Sequence, residues 1–164
     1  MNRFAVAFTG PSGSGKTTLI EKVARVLIET KEVAIIKNDP KDKAIFDIEG
    51  KDSYKFSQTG AEVVVTSPTR TTYFSKRQKE LDDIIEMFNE FDILLVEGLK
   101  TLPLPRIAIF RNRIDESYLD CSEAIAIDDS INIDEYEIPK HIDILDLNST
   151  NEIINWIEKN AKEV

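Results

Sequence analysis

Short apolar runs and stretches of helical periodicity alternate along most of this chain. Continuous apolar runs are typical of strands that are buried on both faces of a sheet. The predicted core strands are Phe4–Thr9, Val33–Lys37, Glu62–Thr66, Ile93–Val96, Ile107–Phe110, Ala124–Ile127 and a short Ile142–Leu145. The predicted helices are Thr18–Ile28, Asp52–Thr59, Gln78–Asn89 and Asn151–Lys162. Because strands and helices alternate, the pattern predicts one α/β domain over residues 1–164, with helices on both sides of a mainly parallel sheet.

Two further segments carry β-forming residues outside this alternation. Ala44–Ile48 predicts a short extra strand. Thr69–Phe74 follows the turn signal Ser67-Pro68 and predicts an antiparallel strand or one arm of a hairpin. The last predicted helix carries Trp156 among apolar neighbours, which favours packing in the core over stacking on a base.

The segment Gly10–Thr17, between the first strand and the first helix, matches the phosphate-binding pattern G-x-x-x-x-G-K-[ST] at each fixed position. Its glycines permit a tight turn that points several backbone N–H groups at one phosphate, beside the positive end of the helix. We expect Lys16 to reach the β- and γ-phosphates and the Thr17 hydroxyl to bind Mg²⁺. The predicted nucleotide contacts are Gly10, Ser12, Gly13, Ser14, Gly15, Lys16, Thr17 and Thr18. The motif predicts a P-loop, the phosphate-binding loop of nucleotide-binding proteins.

Two acidic residues follow predicted parallel strands, at the edge where sites form in open α/β sheets. Glu97 comes directly after Ile93–Val96, and Asp39 follows Val33–Lys37. With Thr17 they are the predicted Mg²⁺ ligands, and with Lys16 they are the predicted catalytic residues. For each of the two, the alternative is an acidic loop residue that faces water.

A possible base-reading motif follows the strand Ile107–Phe110. Asn112-Arg113-Ile114-Asp115 approximates the Asn-Lys-x-Asp of GTPases, with arginine in place of lysine. An aspartate there accepts hydrogen bonds from the N1–H and N2–H₂ groups of guanine, for which adenine has no counterpart. Asn112 and Asp115 are therefore candidate guanine contacts, and the strand end Asp128-Asp129-Ser130 is a second place that could touch the base.

Composition narrows the classes of partner. The 164 residues carry a formal net charge of −9, which argues against nucleic acid or an anionic membrane as the main partner. A single cysteine, Cys121, suits a reducing cytoplasm. No apolar run approaches the roughly 20 residues that a membrane-spanning helix needs.

The chain resembles the molybdopterin-guanine dinucleotide biosynthesis protein B family (MobB). The resemblance rests on the P-loop, on the strand end Ile36–Asp39, on Gly-Lys-Asp-Ser-Tyr at 50–54 and on Leu95–Lys100, all in family order. The segments Thr66–Arg70 and Pro105–Ile107 also look like the family.

The resemblance implies a three-layer P-loop NTPase fold, a homodimer, and GTP binding with weak Mg²⁺-dependent GTPase activity. It also implies a partner enzyme, the molybdenum cofactor guanylyltransferase that attaches GMP to molybdopterin. One departure concerns the aspartate after the second strand, around which the family often carries histidines. Asn38, Pro40 and Lys41 stand there instead, so only Asp39 carries over.

Two other functions remain open from the sequence. The P-loop could serve an ATP-dependent small-molecule kinase, with segment 41–60 as a lid over the acceptor. The protein could also be a non-catalytic adaptor whose bound nucleotide sets its shape or its affinity for a partner. Nucleotide preference and turnover distinguish these alternatives.

Overall fold

The computed structural model describes residues 2–164, which divide into two compact units. One unit runs up to Asn38 and resumes over Glu90–Val164, and the other is Asp39–Asn89. In chain order the strands are β1 (Phe4–Thr9), β2 (Val33–Lys37), β3 (Val63–Ser67), β4 (Arg70–Phe74), β5 (Ile93–Glu97), β6 (Arg106–Ile109), β7 (Ala124–Ile127), β8 (Asp143–Asp146) and β9 (Lys162–Glu163). The α-helices are α1 (Lys16–Leu27), α2 (Asp52–Gln58), α3 (Leu81–Met87) and α4 (Thr150–Asn160), and short 3-10 helices lie at Glu116–Cys121 and Ile133–Glu135.

The first unit is built on a seven-stranded sheet. Six strands are parallel, in the order β2-β5-β1-β6-β7-β8, and β9 pairs antiparallel with the start of β1. The predicted mainly parallel α/β fold is confirmed. The short closing strand β9 was not predicted, because a two-residue strand leaves no periodic pattern.

Alternate residues of the central strands fill two hydrophobic cores on opposite faces of this sheet. Val6 and Phe8 point to the face covered by α1 and α4. Ala108 and Phe110 belong to the other cluster, which includes Leu119 of the first 3-10 helix. Near-complete burial on both faces explains why these strands read as continuous apolar runs.

Trp156 is a core residue, as predicted. It is buried in the same cluster as α1, and its indole Nε1 donates to Asp143 Oδ2 at 2.8 Å. The partner satisfies the one polar group of the ring, so burial of the indole leaves no donor unpaired.

The second unit corrects two predictions. The predicted core strand Glu62–Thr66 is β3, which pairs only with β4 in a separate antiparallel hairpin, and 56% of Val64 is exposed. The hairpin arm predicted at Thr69–Phe74 is confirmed as β4. An apolar run shows that a segment favours extended backbone, but it does not say what covers the segment.

The extra strand predicted at Ala44–Ile48 is wrong. The segment has no regular structure, and Ile45 and Phe46 are more than four-fifths exposed. Asp47, in its middle, accepts hydrogen bonds from Ser53 Oγ at 2.8 Å and Ser57 Oγ at 3.2 Å. The loop is thus held to α2 through a side chain, without strand pairing.

Helix ends differ from the predicted ones by a few residues, as is usual where apolar periodicity fades. The largest change is α3, which is shorter than the predicted Gln78–Asn89. Across residues 2–164, no helix is both long enough and apolar enough to cross a membrane.

Candidate nucleotide-binding site

The P-loop connects β1 to α1 at the carboxyl edge of the sheet. Gly15 is the N-cap of α1 and adopts φ 99°, a left-handed conformation that glycine accepts without strain. The loop therefore turns directly into the helix, and the first N–H groups of α1 stay available for an anion. Ser12, Gly13, Thr17 and Thr18 are exposed, whereas Ser14 is buried.

Lys16 folds back over the loop. Its Nζ donates to the carbonyl oxygens of Gly10 and Pro11, both at 2.8 Å. Burial lowers the pKa of Lys16, and the negative charge of Glu97 partly opposes that shift. The ammonium thus has acceptors that phosphate oxygens could replace.

The hydroxyl of Ser14 lies inside the loop. It is one of two buried side-chain polar atoms that lack a hydrogen-bond partner among the described residues, the other being Arg106 Nε. Orphaned polar atoms are uncommon in folded proteins. Ser14 Oγ lies 3.2 Å from the point where a Cβ on Gly10 would stand, which places it against the start of the P-loop.

The acidic side of the site lies at the end of β5. Glu97 pairs with Lys37 in the β5–β2 register, and its Oε2 accepts from Lys37 Nζ at 2.9 Å. Thr17 and Glu97 line one groove of about 410 Å³ along α1 and β2, and most of the surface exposed in it is apolar. The groove brings together two of the three predicted Mg²⁺ ligands.

The third predicted ligand, Asp39, begins the second unit. Its Oδ2 accepts from the backbone N–H groups of Lys43 and Ala44, each at 2.7 Å. The carboxylate therefore organises the loop that follows it, and its role as a Mg²⁺ ligand stays a prediction. Among residues 2–164, no group of three or more His, Cys, Asp or Glu side chains could hold a metal ion by itself.

The two candidate base-reading residues occupy a turn after β6. Asn112 adopts φ 65°, and its backbone N–H donates to Ser130 Oγ at 2.7 Å. Asp115 caps the following 3-10 helix, because its Oδ1 accepts from Ser117 N at 3.1 Å and Ser117 Oγ at 2.6 Å. The hydroxyl of Ser117 is the main cause that lowers the pKa of Asp115. These bonds use Oδ1, so Oδ2 remains a possible acceptor for a ligand.

Arg111 was missed by the sequence analysis. Its guanidinium lies against the P-loop, with Nε and Cζ each 3.5 Å from the position of a Cβ on Gly15. Arg111 Nε also pairs with Asp128 Oδ2 at 3.3 Å. The available signal was a charged residue directly after a buried strand, one position before the Asn112 motif.

Arg106 was also missed as a positioning residue. Although only 3% exposed, its guanidinium donates to the carbonyl oxygens of Leu99, Leu102 and Cys121 at 3.0–3.1 Å. Leu99 follows Gly98 and adopts φ 53°, which is unfavourable for a leucine. Arg106 therefore helps to hold the strained turn directly after Glu97.

The Asp128 carboxylate provides a pH-dependent prediction. Ser130 donates to Asp128 Oδ1 through both its hydroxyl and its N–H, and the hydroxyl bond is the main cause that lowers the pKa of Asp128. A lowered folded-state pKa stabilises the fold above the unfolded pKa, and that stabilisation is lost as the pH falls through the folded value. We expect Ser130→Ala to raise the pKa of Asp128 and to reduce the loss of stability on acidification. An NMR titration of the Asp128 carboxyl carbon checks this, and an unchanged midpoint would contradict it.

Comparison with known proteins places this chain in a family. The model for "Molybdopterin guanine dinucleotide synthesis protein B" (MobB) matches residues 5–129. A molybdopterin-guanine dinucleotide biosynthesis adapter protein of Haemophilus influenzae is 32% identical over 162 residues, covering 93% of this chain and 86% of that protein. A relative from Methanocaldococcus jannaschii is 30% identical over 137 residues, and the matched part spans 57% of its length.

Solved structures share the fold. The crystal structure of Bacillus subtilis MobB superposes with a TM-score of 0.75 at 23% identity, covering 97% of this chain and 98% of that chain. The hydrogenase maturation factor HypB of Archaeoglobus fulgidus superposes with a TM-score of 0.52 at 16% identity, over 94% of this chain and 86% of that one. These similarities support the P-loop NTPase fold of the first unit.

Proposed function

Because the chain belongs to the molybdopterin guanine dinucleotide synthesis protein B (MobB) family, we propose that it acts in molybdenum cofactor biosynthesis as a GTP-binding adapter. It would support the attachment of GMP to molybdopterin that forms molybdopterin guanine dinucleotide. The proposal that the protein binds a nucleotide rests on Lys16. Its ammonium folds over the P-loop and donates to two carbonyl oxygens. Phosphate oxygens are stronger acceptors for an ammonium than neutral carbonyls, so a triphosphate can replace them.

Mg²⁺ fits the donor set of the groove. This ion is usually held by one or two protein oxygens together with phosphate oxygens and waters. The Thr17 hydroxyl and the Glu97 carboxylate line the same groove beside the P-loop, so two protein oxygens of the usual kind are present there. Asp39 is proposed as a further ligand. Mg²⁺ would neutralise the charge on the phosphates, and Lys16 would do the same between β and γ.

Slow hydrolysis follows from the environment of Glu97. Its Oε2 already accepts a hydrogen bond from Lys37 Nζ at 2.9 Å, so this oxygen is not free to orient an attacking water. A site without a well-placed water-positioning group or arginine finger loses about 10³–10⁵ in rate. We propose that the protein is a weak GTPase and that its main role is to supply or position GTP for a partner enzyme.

The partner would be the guanylyltransferase that transfers GMP, and the protein would work as a homodimer in the cytoplasm. The second unit supports a role in contacts, since it exposes Ile45, Phe46, Phe56 and Val64. Large apolar side chains exposed in one small unit are candidates for an interaction surface.

Guanine preference provides the first test. We expect calorimetric titration with Mg²⁺ to show tighter binding of GTP than of ATP by at least tenfold, about 1.4 kcal/mol. The physical reason is that Asp115 Oδ2 can accept from guanine N1–H and N2–H₂, which adenine does not offer. Asp115→Ala is expected to bring the two affinities together without abolishing either.

Two outcomes would contradict the proposal. Preference for ATP with rapid phosphate transfer to a metabolite would favour a small-molecule kinase. Equal affinities of the unaltered protein for GTP and ATP would exclude Asp115 as a residue that recognises guanine. Ser117→Ala is the matched control at the same turn, because it removes the hydroxyl that donates to Oδ1 and leaves Oδ2 in place.

A further inference from the structure

The guanidinium of Arg111 presents a flat face to the P-loop. A Cβ built on Gly15 would lie 3.5 Å from Cζ, 3.5 Å from Nε and 3.6 Å from Nη2. A point nearly equidistant from these three atoms lies above the plane of the group and not at its edge. Arg111 therefore stacks on the Gly15 backbone, and its side chain is still 44% exposed.

The orientation of this face is fixed by two neighbouring strand ends. Arg111 follows β6, and Asp128 follows β7 and holds Arg111 Nε at 3.3 Å. Ser130 donates to Asp128 and accepts from the backbone N–H of Asn112 at 2.7 Å. These contacts join the two turns, so the guanidinium is ordered before any ligand arrives, which reduces the entropy lost on binding.

The order of the strands gives the site a direction. β5 and β6 lie on opposite sides of β1, the strand that leads into the P-loop. Glu97 and Thr17, the proposed Mg²⁺ ligands, line a groove on the β5 side, so the proposed function assigns that side to Mg²⁺ and the γ-phosphate. A nucleotide whose phosphates bound there would extend its nucleoside toward β6 and β7, where Arg111 lies.

We propose that the Arg111 guanidinium, on its face turned away from Gly15, stacks on the purine base of the bound nucleotide. The proposal rests on the nucleotide-binding function proposed above and adds the residue that carries the base. A planar, weakly hydrated guanidinium stacks well on aromatic rings. Because every base has a π-face, such stacking contributes affinity but does not choose between bases. Arg111 thus sets how tightly purine nucleotides bind, and the choice of guanine remains with Asp115.

The test measures displacement of a fluorescent GTP analogue by GTP, by ATP and by inorganic triphosphate, each with Mg²⁺. Arg111→Ala is expected to weaken GTP and ATP about tenfold each, with their ratio unchanged, and to leave triphosphate within about twofold. Arg111→Lys, which keeps the charge but loses the plane, is expected to lose nearly as much. Arg77→Ala is the matched control, since Arg77 is an exposed arginine of the second unit.

The outcomes separate this proposal from the function on which it rests. If the unaltered protein binds neither GTP nor ATP, the proposed nucleotide-binding function is wrong, and the proposed stacking of Arg111 on the base is wrong with it. If it binds both and Arg111→Ala changes nothing, only the stacking role is overturned. An equal loss for triphosphate, with rescue by lysine, would also overturn stacking, because it would assign Arg111 to a phosphate. Thermal unfolding of each variant is the control for folding. Because the Arg111 side chain is partly exposed, we expect each variant to keep the fold.

Discussion

Replacing Lys16 with alanine is expected to weaken binding of Mg²⁺–GTP by at least a hundredfold. The Lys16 ammonium now donates to the carbonyl oxygens of Gly10 and Pro11 at 2.8 Å. On binding it would exchange these neutral acceptors for phosphate oxygens, and each charge-assisted bond contributes about 1.5–3 kcal/mol. Loss of two such bonds in a partly buried position costs about 3–6 kcal/mol, which corresponds to at least the expected factor, since each tenfold change is about 1.4 kcal/mol.

The measurement is calorimetric titration of the two proteins under the same conditions. Lys22→Ala is the matched control, because Lys22 lies on α1, is exposed, and its loss changes the net charge equally. We expect the control to bind GTP as the unaltered protein does. Equal affinity of Lys16→Ala and Lys22→Ala would remove the P-loop from nucleotide binding, and circular dichroism excludes simple unfolding as the cause of a loss.

The first unit could be predicted from the sequence because its elements carry redundant signals. β1 and β2 were predicted with the bounds that the structure has. β1 is buried from Ala5 to Thr9 between two parallel neighbours, and β2, at the edge of the sheet, buries Ala34 and Ile36, so composition and environment agree best for β1. The P-loop was predicted because its glycines, lysine and threonine occur at fixed spacing between a strand and a helix.

The second unit was less predictable. β3 carries the apolar β-branched run Val63-Val64-Val65, and composition does not distinguish a central strand from an exposed hairpin. What decides between them is the set of pairing partners, which depends on contacts distant in sequence. The same limit applies to Asp47, whose hydrogen bonds to Ser53 and Ser57 replace the strand predicted around it.

The site divides in the same way. Residues adjacent to a motif or strand end, such as Lys16 and Glu97, were predicted as site residues from position alone. The ion pair between Lys37 and Glu97 depends on the register of β2 against β5, which no local pattern fixes. The stacking of Arg111 on Gly15 likewise requires that β6 lie beside β1, a fact of sheet order.

The start of the P-loop provides the strongest prediction about stability. Gly10 adopts φ 136°, which side-chain-bearing residues rarely reach, and a Cβ there would stand 2.4 Å from the backbone oxygen of Ile109. That oxygen belongs to β6, so it cannot move without displacing a strand paired with β1. Backbone strain and overpacking each cost about 1–3 kcal/mol. We expect Gly10→Ala to lower the free energy of unfolding by about 4 kcal/mol.

Gly13→Ala separates the steric cause from the conformational one. Gly13 also has a positive φ, 77°, but nothing lies within 4 Å of its Cβ position. It is expected to cost only about 1–2 kcal/mol, the penalty for a left-handed conformation. Urea denaturation of the two variants compares these values directly. A difference near zero would mean that β1 and β6 can separate at the P-loop without cost, whereas the expected difference of about 2–3 kcal/mol identifies the contact with Ile109 as the reason that position 10 must be glycine.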